Sequence, residues 1–400
     1  MKLVFVAPFA FSPKATVSAR MLPMAAALTA RGHSVHVLIP PYDNPADSAR
    51  TWTQEGVTVE NLRTSGAGAT AQWSLAGRLA TRVATLAPDL IHVFKPVGPG
   101  ALAVTRSLLP GGPRWTAPII VDNDDWEGRG GWLDVNRLPA LAKAVLAWQE
   151  SWTLRHARAV TCASETLVTR TGALAPGRPT LLLPNGPGSS LRAEVAVAHA
   201  ERDSLRQSYG WQDKRVVIYL GTIPHGHDLD IALAAFSAAA REDPELIWCL
   251  IASGDGLPEF RAGAQKAGLG DQIEWHGFIP HAEAMRRLVA ADVAVYPYRD
   301  TNINRAKCSG KIIDYMAAGK PMVVSAVGMN WVYLTNGEHA LLTPPGDGAA
   351  FEAAQRRLLA DPAYANELGV AAQRRLWQSF AWDKRIAELE QLYARILSDL

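Results

Sequence analysis

The chain has 400 residues, 48% of them apolar and 20% charged, and a formal net charge of +2. At about 100–200 residues per domain, that length predicts two domains with material for two cores, and the balanced charge argues against a nucleic-acid partner. Three scattered cysteines, Cys162, Cys249 and Cys308, fit neither a disulfide framework nor a zinc pattern, so a reduced, cytoplasmic setting is expected.

The opening Leu3–Ala7 reads as a buried strand; with Pro8 and Pro13 close behind, the apolar run is too short for a signal peptide. In chain order there follow a helix over Arg20–Arg31, a strand over Ser34–Ile39, a helix over Leu75–Leu86 and a strand over Leu90–Phe94. Next come a helix at Ala101–Leu108, a strand at Pro118–Asp122, a long helix at Ala140–His156, and strands at Ala159–Ala163 and Thr180–Leu183. Turn formers from Asn185 and a charged stretch to Tyr209 suggest an inter-domain connector. Strand–helix alternation then restarts at Val216 and runs to a strand near Ala340–Thr343, before three terminal helices. Short apolar strands alternating with helices predict parallel sheets covered on both faces. The expected division is residues 1–187, a linker over 188–214, a second domain over 215–380, and a final helix over 381–400 that returns towards the first. No stretch approaches the roughly 20 apolar residues of a membrane span. The 13 tryptophans are assigned mostly to core packing, with room left for peripheral contact at the inner membrane face.

In such domains ligands bind in the loops at the carboxyl ends of the strands. The first loop holds Lys14, with Arg20 just beyond, as cations for phosphate or carboxylate. After the strand at Pro118–Asp122, four carboxylates fall within six residues; Asp124 and Asp125 are candidates for a general base, a sugar-hydroxyl acceptor or a metal ligand, or the segment is a solvated, Asp-rich turn. His92 ends a strand and reads either as a site residue or as a core histidine with one satisfied bond. In the second half, Gly221 and Thr222 with His227, then Gly254 and Gly256, then Gly277 with Phe278, place glycines after three successive strands, where backbone approaches phosphate closely and a ring packs on a base. The strongest segment runs from Tyr298 to Pro321. Ser309, Gly310 and Lys311 open a helix, so its first-turn N–H groups, its dipole and a lysine converge on an anion, with Arg305 nearby. Asp314 lies three residues on, on the same side. The alternative is a surface Lys–Asp pair.

These segments resemble the retaining glycosyltransferases of the GT-B fold, particularly glycosyltransferase family 4. The resemblance rests on Arg31-Gly32-His33-Ser34-Val35, on Pro184-Asn185-Gly186, on Asp314 to Ser325, on Leu342 to Asp347, and on the helix after Phe380-Ala381-Trp382. It implies two Rossmann-like domains facing a central cleft, with the nucleotide sugar on the second and the acceptor (a saccharide, a lipid-linked sugar or a small molecule) on the first. It also implies transfer to a hydroxyl with retained configuration, with no cofactor and no metal. The sequence departs from the family at the first of its two spaced glutamates, where Ala306 stands, and at the arginine and lysine usual near Thr222 and Gly226 or His227. Lys311 is therefore expected to carry the diphosphate. A sugar-nucleotide epimerase and a non-catalytic sugar-nucleotide-binding subunit are the rival readings.

Overall fold

The chain folds into two α/β units in a computed structural model, which describes residues 1–11, 16–64, 66, 68–224 and 228–399. The first unit comprises Met1–Gly186, Ala306–Cys308 and Ala381–Leu400; the second comprises Pro187–Arg305 and Ser309–Phe380.

The first sheet contains β1 (Lys2–Val6), β2 (Ser34–Ile39), β3 (Thr51–Gln54), β4 (Val57–Asn61), β5 (Leu90–Phe94), β6 (Ile119–Asn123), β7 (Ala159–Cys162) and β8 (Thr180–Leu182). Their order is β3-β4-β2-β1-β5-β6-β7-β8, parallel throughout except for β3 against β4. β5 and β6 are buried at every position, as strands covered on both faces must be. The β3–β4 hairpin has no counterpart in the sequence reading. Its edge strand, Thr-Trp-Thr-Gln, alternates exposed with half-buried residues and so lacks an apolar run. The helix expected from Leu75 begins at Gly68, where small and polar residues hide its first turns.

The helix Trp382–Ser398 completes this unit's core. Trp382, Ile386, Leu389, Tyr393 and Ile396, spaced along one face, pack with Leu3, Phe5, Met21, Leu28 and Phe94. Each such side chain contributes about 1.5–3 kcal/mol when removed from water. Together they are comparable with a domain's whole margin of about 5–15 kcal/mol.

The second sheet contains β9 (Arg215–Thr222), β10 (Leu246–Ser253), β11 (Ile273–His276), β12 (Val293–Tyr296), β13 (Met322–Ser325) and β14 (Leu341–Thr343), all parallel, in the order β11-β10-β9-β12-β13-β14. This is the doubly wound arrangement, reversing between β9 and β12. The charged stretch read as a connector forms two helices, Leu191–Ala200 and Arg202–Tyr209. It is pinned within this unit by Arg206, which bonds Asp292 at 3.1 Å and the Ala290 carbonyl at 2.8 Å.

Candidate functional site

Ligands of doubly wound sheets gather where the strand order reverses. In the second unit that place is the carboxyl end of β9, at Gly221 and Thr222. A Cβ on Gly221 would stand 2.7 Å from Tyr219 Oη and 3.1 Å from Lys311 Cε, so the glycine leaves room for the lysine stem along the strand end. Lys311 belongs to the first turn of helix Gly310–Ala317, whose N-cap Ser309 accepts the Lys311 N–H at 3.3 Å. The Ser309 hydroxyl accepts in turn from Tyr296 at the end of β12, and Tyr296 pairs with the Tyr298 hydroxyl. A helix N-terminus and a lysine thus meet at the reversal point, an arrangement that attracts an anion. Space is open at Gly310, where a Cβ would meet nothing within 4 Å.

The neighbouring loops are tied to this point. Ile223 N–H donates to the Ser253 carbonyl at 2.7 Å, and Gly256 N–H to the Ile223 carbonyl at 2.8 Å. Gly254 has φ +117°, and a Cβ there would lie 2.6 Å from the Ile223 carbonyl oxygen, so only glycine fits. Phe278, beside Gly277 after β11, is 75% exposed. Asp314 Oδ1 lies 3.1 Å from His281 Nε2, and this hydrogen bond and charge raise the imidazole pKa.

In the first unit the order reverses between β1 and β5, and Lys95 follows β5 directly. Its φ of 67° is left-handed, a costly conformation for a lysine that marks a position held by its surroundings. The buried ammonium lies 3.0 Å from Asp124 Oδ1, 2.8 Å from Asp125 Oδ2 and 2.5 Å from Glu127 Oε1. Burial opposes its charge, but the three carboxylates more than offset this and hold the ammonium well above its usual pKa. Desolvation pushes the Asp124 carboxyl up to about 6 against the pull of Lys95. The Lys95–Asp124 contact is close but poorly angled, and Asp124 Oδ1 is buried without a hydrogen-bond donor among the described residues.

Beneath this cluster Arg20 grips Asp122 with two bonds, of 2.8 and 2.7 Å, both side chains being buried. Burial raises the Asp122 carboxyl, and the Arg20 guanidinium more than reverses this, leaving it below the usual range. Thr161 Oγ1 donates to Asp122 at 2.6 Å, and Arg20 Nη1 to Asn185 Oδ1 at 2.8 Å. His92 stands between Tyr393 Oη at 2.7 Å and Thr161 Oγ1 at 3.1 Å. Burial lowers its imidazole to about 4, so it is neutral.

Two groups of side chains converge closely enough to chelate a cation among the described residues. The Asp124, Asp125 and Glu127 carboxylates already share the Lys95 ammonium. In the other, Cys249, Glu274 and His276, Glu274 accepts from Trp211 Nε1 at 2.8 Å and the Cys249 thiol meets the Arg287 guanidinium.

A family model for group 1 glycosyl transferases matches residues 201–375, and one for the glycosyl transferase 4-like domain matches residues 16–186. A sucrose-phosphate synthase from Thermosynechococcus elongatus has the same fold, with a TM-score of 0.72 at 19% identity over all of both chains. The chain belongs to the GT-B glycosyltransferases, and within them resembles family 4. Anabaena HepE, solved in complex with UDP-glucose, shares the fold at 17% identity and a TM-score of 0.72 over all of both chains. Glycogen synthase from Mycobacterium tuberculosis is 27% identical over 276 residues, 66% of this chain and 59% of that protein. Mannosylfructose-phosphate synthase from Agrobacterium fabrum is 27% identical over 169 residues, 40% of this chain and 36% of that protein. The chain thus covers less than two thirds of these relatives' own lengths. No helix among the described residues is long and apolar enough to cross a membrane.

Within this glycosyltransferase, Gly221 and Thr222 end β9, Gly254, Gly256 and Ser309 lie between strand ends and the helices that follow, and Gly310, Lys311 and Asp314 lie in helix Gly310–Ala317. Arg305 is exposed and bound to Asp300 with bonds of 2.5 and 2.7 Å, which gives its charge a partner already. Lys14 and His227 lie outside the described residues. The placement of Arg20 and His92 corrects the expectation of ligand contacts. Arg20 is 2% exposed with its guanidinium spent on Asp122 and Asn185, and His92 is fully buried with both ring nitrogens bonded. Asp124 and Asp125 are held by Lys95, which the sequence reading passed over. Its signal was its place, directly after the strand at which the order reverses.

Proposed function

We propose that this enzyme transfers a hexose from a nucleoside diphosphate sugar, bound on the second unit, to an acceptor hydroxyl with retention of configuration. The observation that carries the proposal is the Lys311 stem lying along Gly221 at the end of β9, in the first turn of a Ser309-capped helix. The solved complexes of HepE with UDP-glucose and of Arabidopsis thaliana starch synthase IV with ADP and acarbose support the donor class.

In this reading the bond between the anomeric carbon and the diphosphate oxygen breaks as the acceptor oxygen bonds to the same face. Negative charge grows on the leaving diphosphate, where the Lys311 ammonium and the helix N–H groups stabilise it. The acceptor's proton passes to the departing phosphate oxygen, so no protein base and no metal is needed. Asp314, oriented by His281, holds donor hydroxyls; Phe278 offers a face for the base. In the first unit, Lys95 fixes Asp124 and Asp125 to orient the acceptor.

The test is thermal stabilisation by UDP, GDP, ADP and their sugar conjugates. A ligand at about 100 times its Kd adds about 2.7 kcal/mol, and Lys311→Ala should abolish the response to the nucleotide preferred by the wild type. An equal response in the variant would remove Lys311 from the diphosphate site. The anomeric configuration of the first product, read by NMR, decides retention.

The surface of the first unit fits a lipid partner. Leu141 (77% exposed), Val145 and Trp148 form a stripe at helical spacing on Ala140–His156, and Lys143 and Arg137 lie in or just before that helix. Exposed apolar side chains bordered by cations suit an anionic membrane surface. Co-sedimentation with phosphatidylglycerol vesicles should be lost in Leu141→Glu; retention of binding by that variant would refute the assignment.

A further inference from the structure

The second unit has an open surface cavity of about 440 Å³ at the opposite end of the Lys311 helix from its N-cap. Its walls are the helix Leu191–Ala200, the end of helix Pro362–Arg375 and the π-helical turn Leu376–Phe380. Arg192 and Arg374, both exposed, line it, none of its lining residues is acidic, and neither arginine has an ion-pair partner among the described residues. Val195, Val370 and Trp377 supply an apolar wall, with the Arg192 guanidinium 4.7 Å from the Trp377 ring centre. π-helical turns sacrifice regular hydrogen bonding and recur at functional sites. Here the turn sets Trp377 into the wall.

The cavity also touches the helix that carries the donor-site lysine. Gln373 Nε2 donates to the Ala317 carbonyl at 2.6 Å, and His199 Nε2 lies 3.1 Å from the Ala318 carbonyl. Both side chains line the cavity, and both hold the last carbonyls of helix Gly310–Ala317. Burial lowers the His199 imidazole, so the cationic character of the cavity comes from the arginines. Eight helical residues span about 12 Å, short enough to move as a rod.

We propose that this cavity is an effector site for an organic phosphate monoester, and that its occupancy changes nucleotide affinity through the Lys311 helix. A phosphate monoester carries about −1.5 to −2 charge at neutral pH and three acceptor oxygens, matching two guanidiniums where a carboxylate would neutralise one. Its organic body lies against Trp377 and Val370. The coupling rests on the donor reading of Lys311; the binding does not.

The experiment is calorimetric titration of the full chain with 4-nitrophenyl phosphate, with inorganic phosphate and 4-nitrobenzyl alcohol as comparison ligands. The aryl phosphate should bind at least about tenfold more tightly than either comparison ligand. Arg374→Gln should weaken it about tenfold, the order expected for one lost charge-assisted contact, and Lys311→Ala should leave it unchanged. Absent binding, equal binding in Arg374→Gln and Arg192→Gln, or displacement by nucleoside diphosphate would overturn the site. Saturation with the aryl phosphate should shift the Kd for the preferred nucleotide severalfold, with the reciprocal shift required by linkage. An unchanged nucleotide Kd with intact aryl phosphate binding would overturn the coupling alone, and would leave the donor reading to be judged by Lys311→Ala.

Discussion

Replacing Lys95 by methionine removes the ammonium that Asp124, Asp125 and Glu127 share and leaves the fold otherwise undisturbed. Methionine has nearly the same length, and the left-handed φ of 67° is equally unfavourable for both residues, so no relief of backbone strain offsets the loss. Breaking a buried ion pair from one side costs about 3–5 kcal/mol, because the abandoned charge stays buried. With three carboxylates within 3.0 Å of the ammonium, the upper part of that range applies. In a domain of this size each kcal/mol moves Tm by about 2–4 °C, so the first unit should melt about 10–20 °C lower near neutral pH. The pH dependence is specific. The folded Asp124 carboxyl titrates at about 6, above its unfolded value, so its contribution to stability is complete below about pH 4 and lost as pH rises through 6. Removing the Lys95 charge raises that pKa further, so the variant's deficit should grow with pH across this window and shrink on acidification. Calorimetric melting of wild type and variant at about pH 5 and about pH 7.5 measures both effects. A deficit under about 2 °C, or one equal at the two pH values, would refute the account of Lys95 as the buried counter-charge.

Lys320 is buried in the second unit and donates to the carbonyls of Val289, at 3.0 Å, and Ala291. Lys320→Met should cost roughly 1–3 kcal/mol per abandoned carbonyl in urea unfolding. Burial lowers the Lys320 ammonium to about 7, so above that pH the unfolded chain binds a proton the folded one has released, and this group's contribution rises with pH. The variant should flatten that slope, and an unchanged slope would contradict the assignment. Gly369 lies against the turn at Gly319, where a Cβ would fall 2.1 Å from the Gly319 carbonyl oxygen. Gly369→Ala should destabilise the second unit by about 1–3 kcal/mol despite alanine's higher helix propensity, and a gain in Tm would show that the helix is free to shift.

The strands and their alternation with helices are legible in the sequence because strands buried on both faces leave continuous apolar runs, as at Leu90–Phe94. The anion-binding turn at Ser309–Lys311 is legible for a local reason, since cap, glycine and lysine are consecutive. The first-unit network is not local. Lys95 meets its carboxylates only because β5 and β6 pair in a register that sets Phe94 beside Asp122. Arg20 and His92 look like loop-end ligands in sequence, and what buries them comes from Thr161, Asn185 and Tyr393, far along the chain. The β3–β4 hairpin escapes because a half-exposed edge strand has too little apolar content to announce itself.

The packing of helix Trp382–Ser398 into the first core has a consequence for synthesis. A ribosome delivers residues 1–186 early, but the Tyr393 hydroxyl that bonds His92 and the Ile386 and Leu389 side chains emerge only after the second unit has been made. At about 5–20 residues per second, that interval is roughly 10–40 s, time enough for the second unit to fold while the first waits with an apolar groove uncovered. Slowing translation after the segment that encodes Gly186 should lengthen the exposure of that groove in proportion.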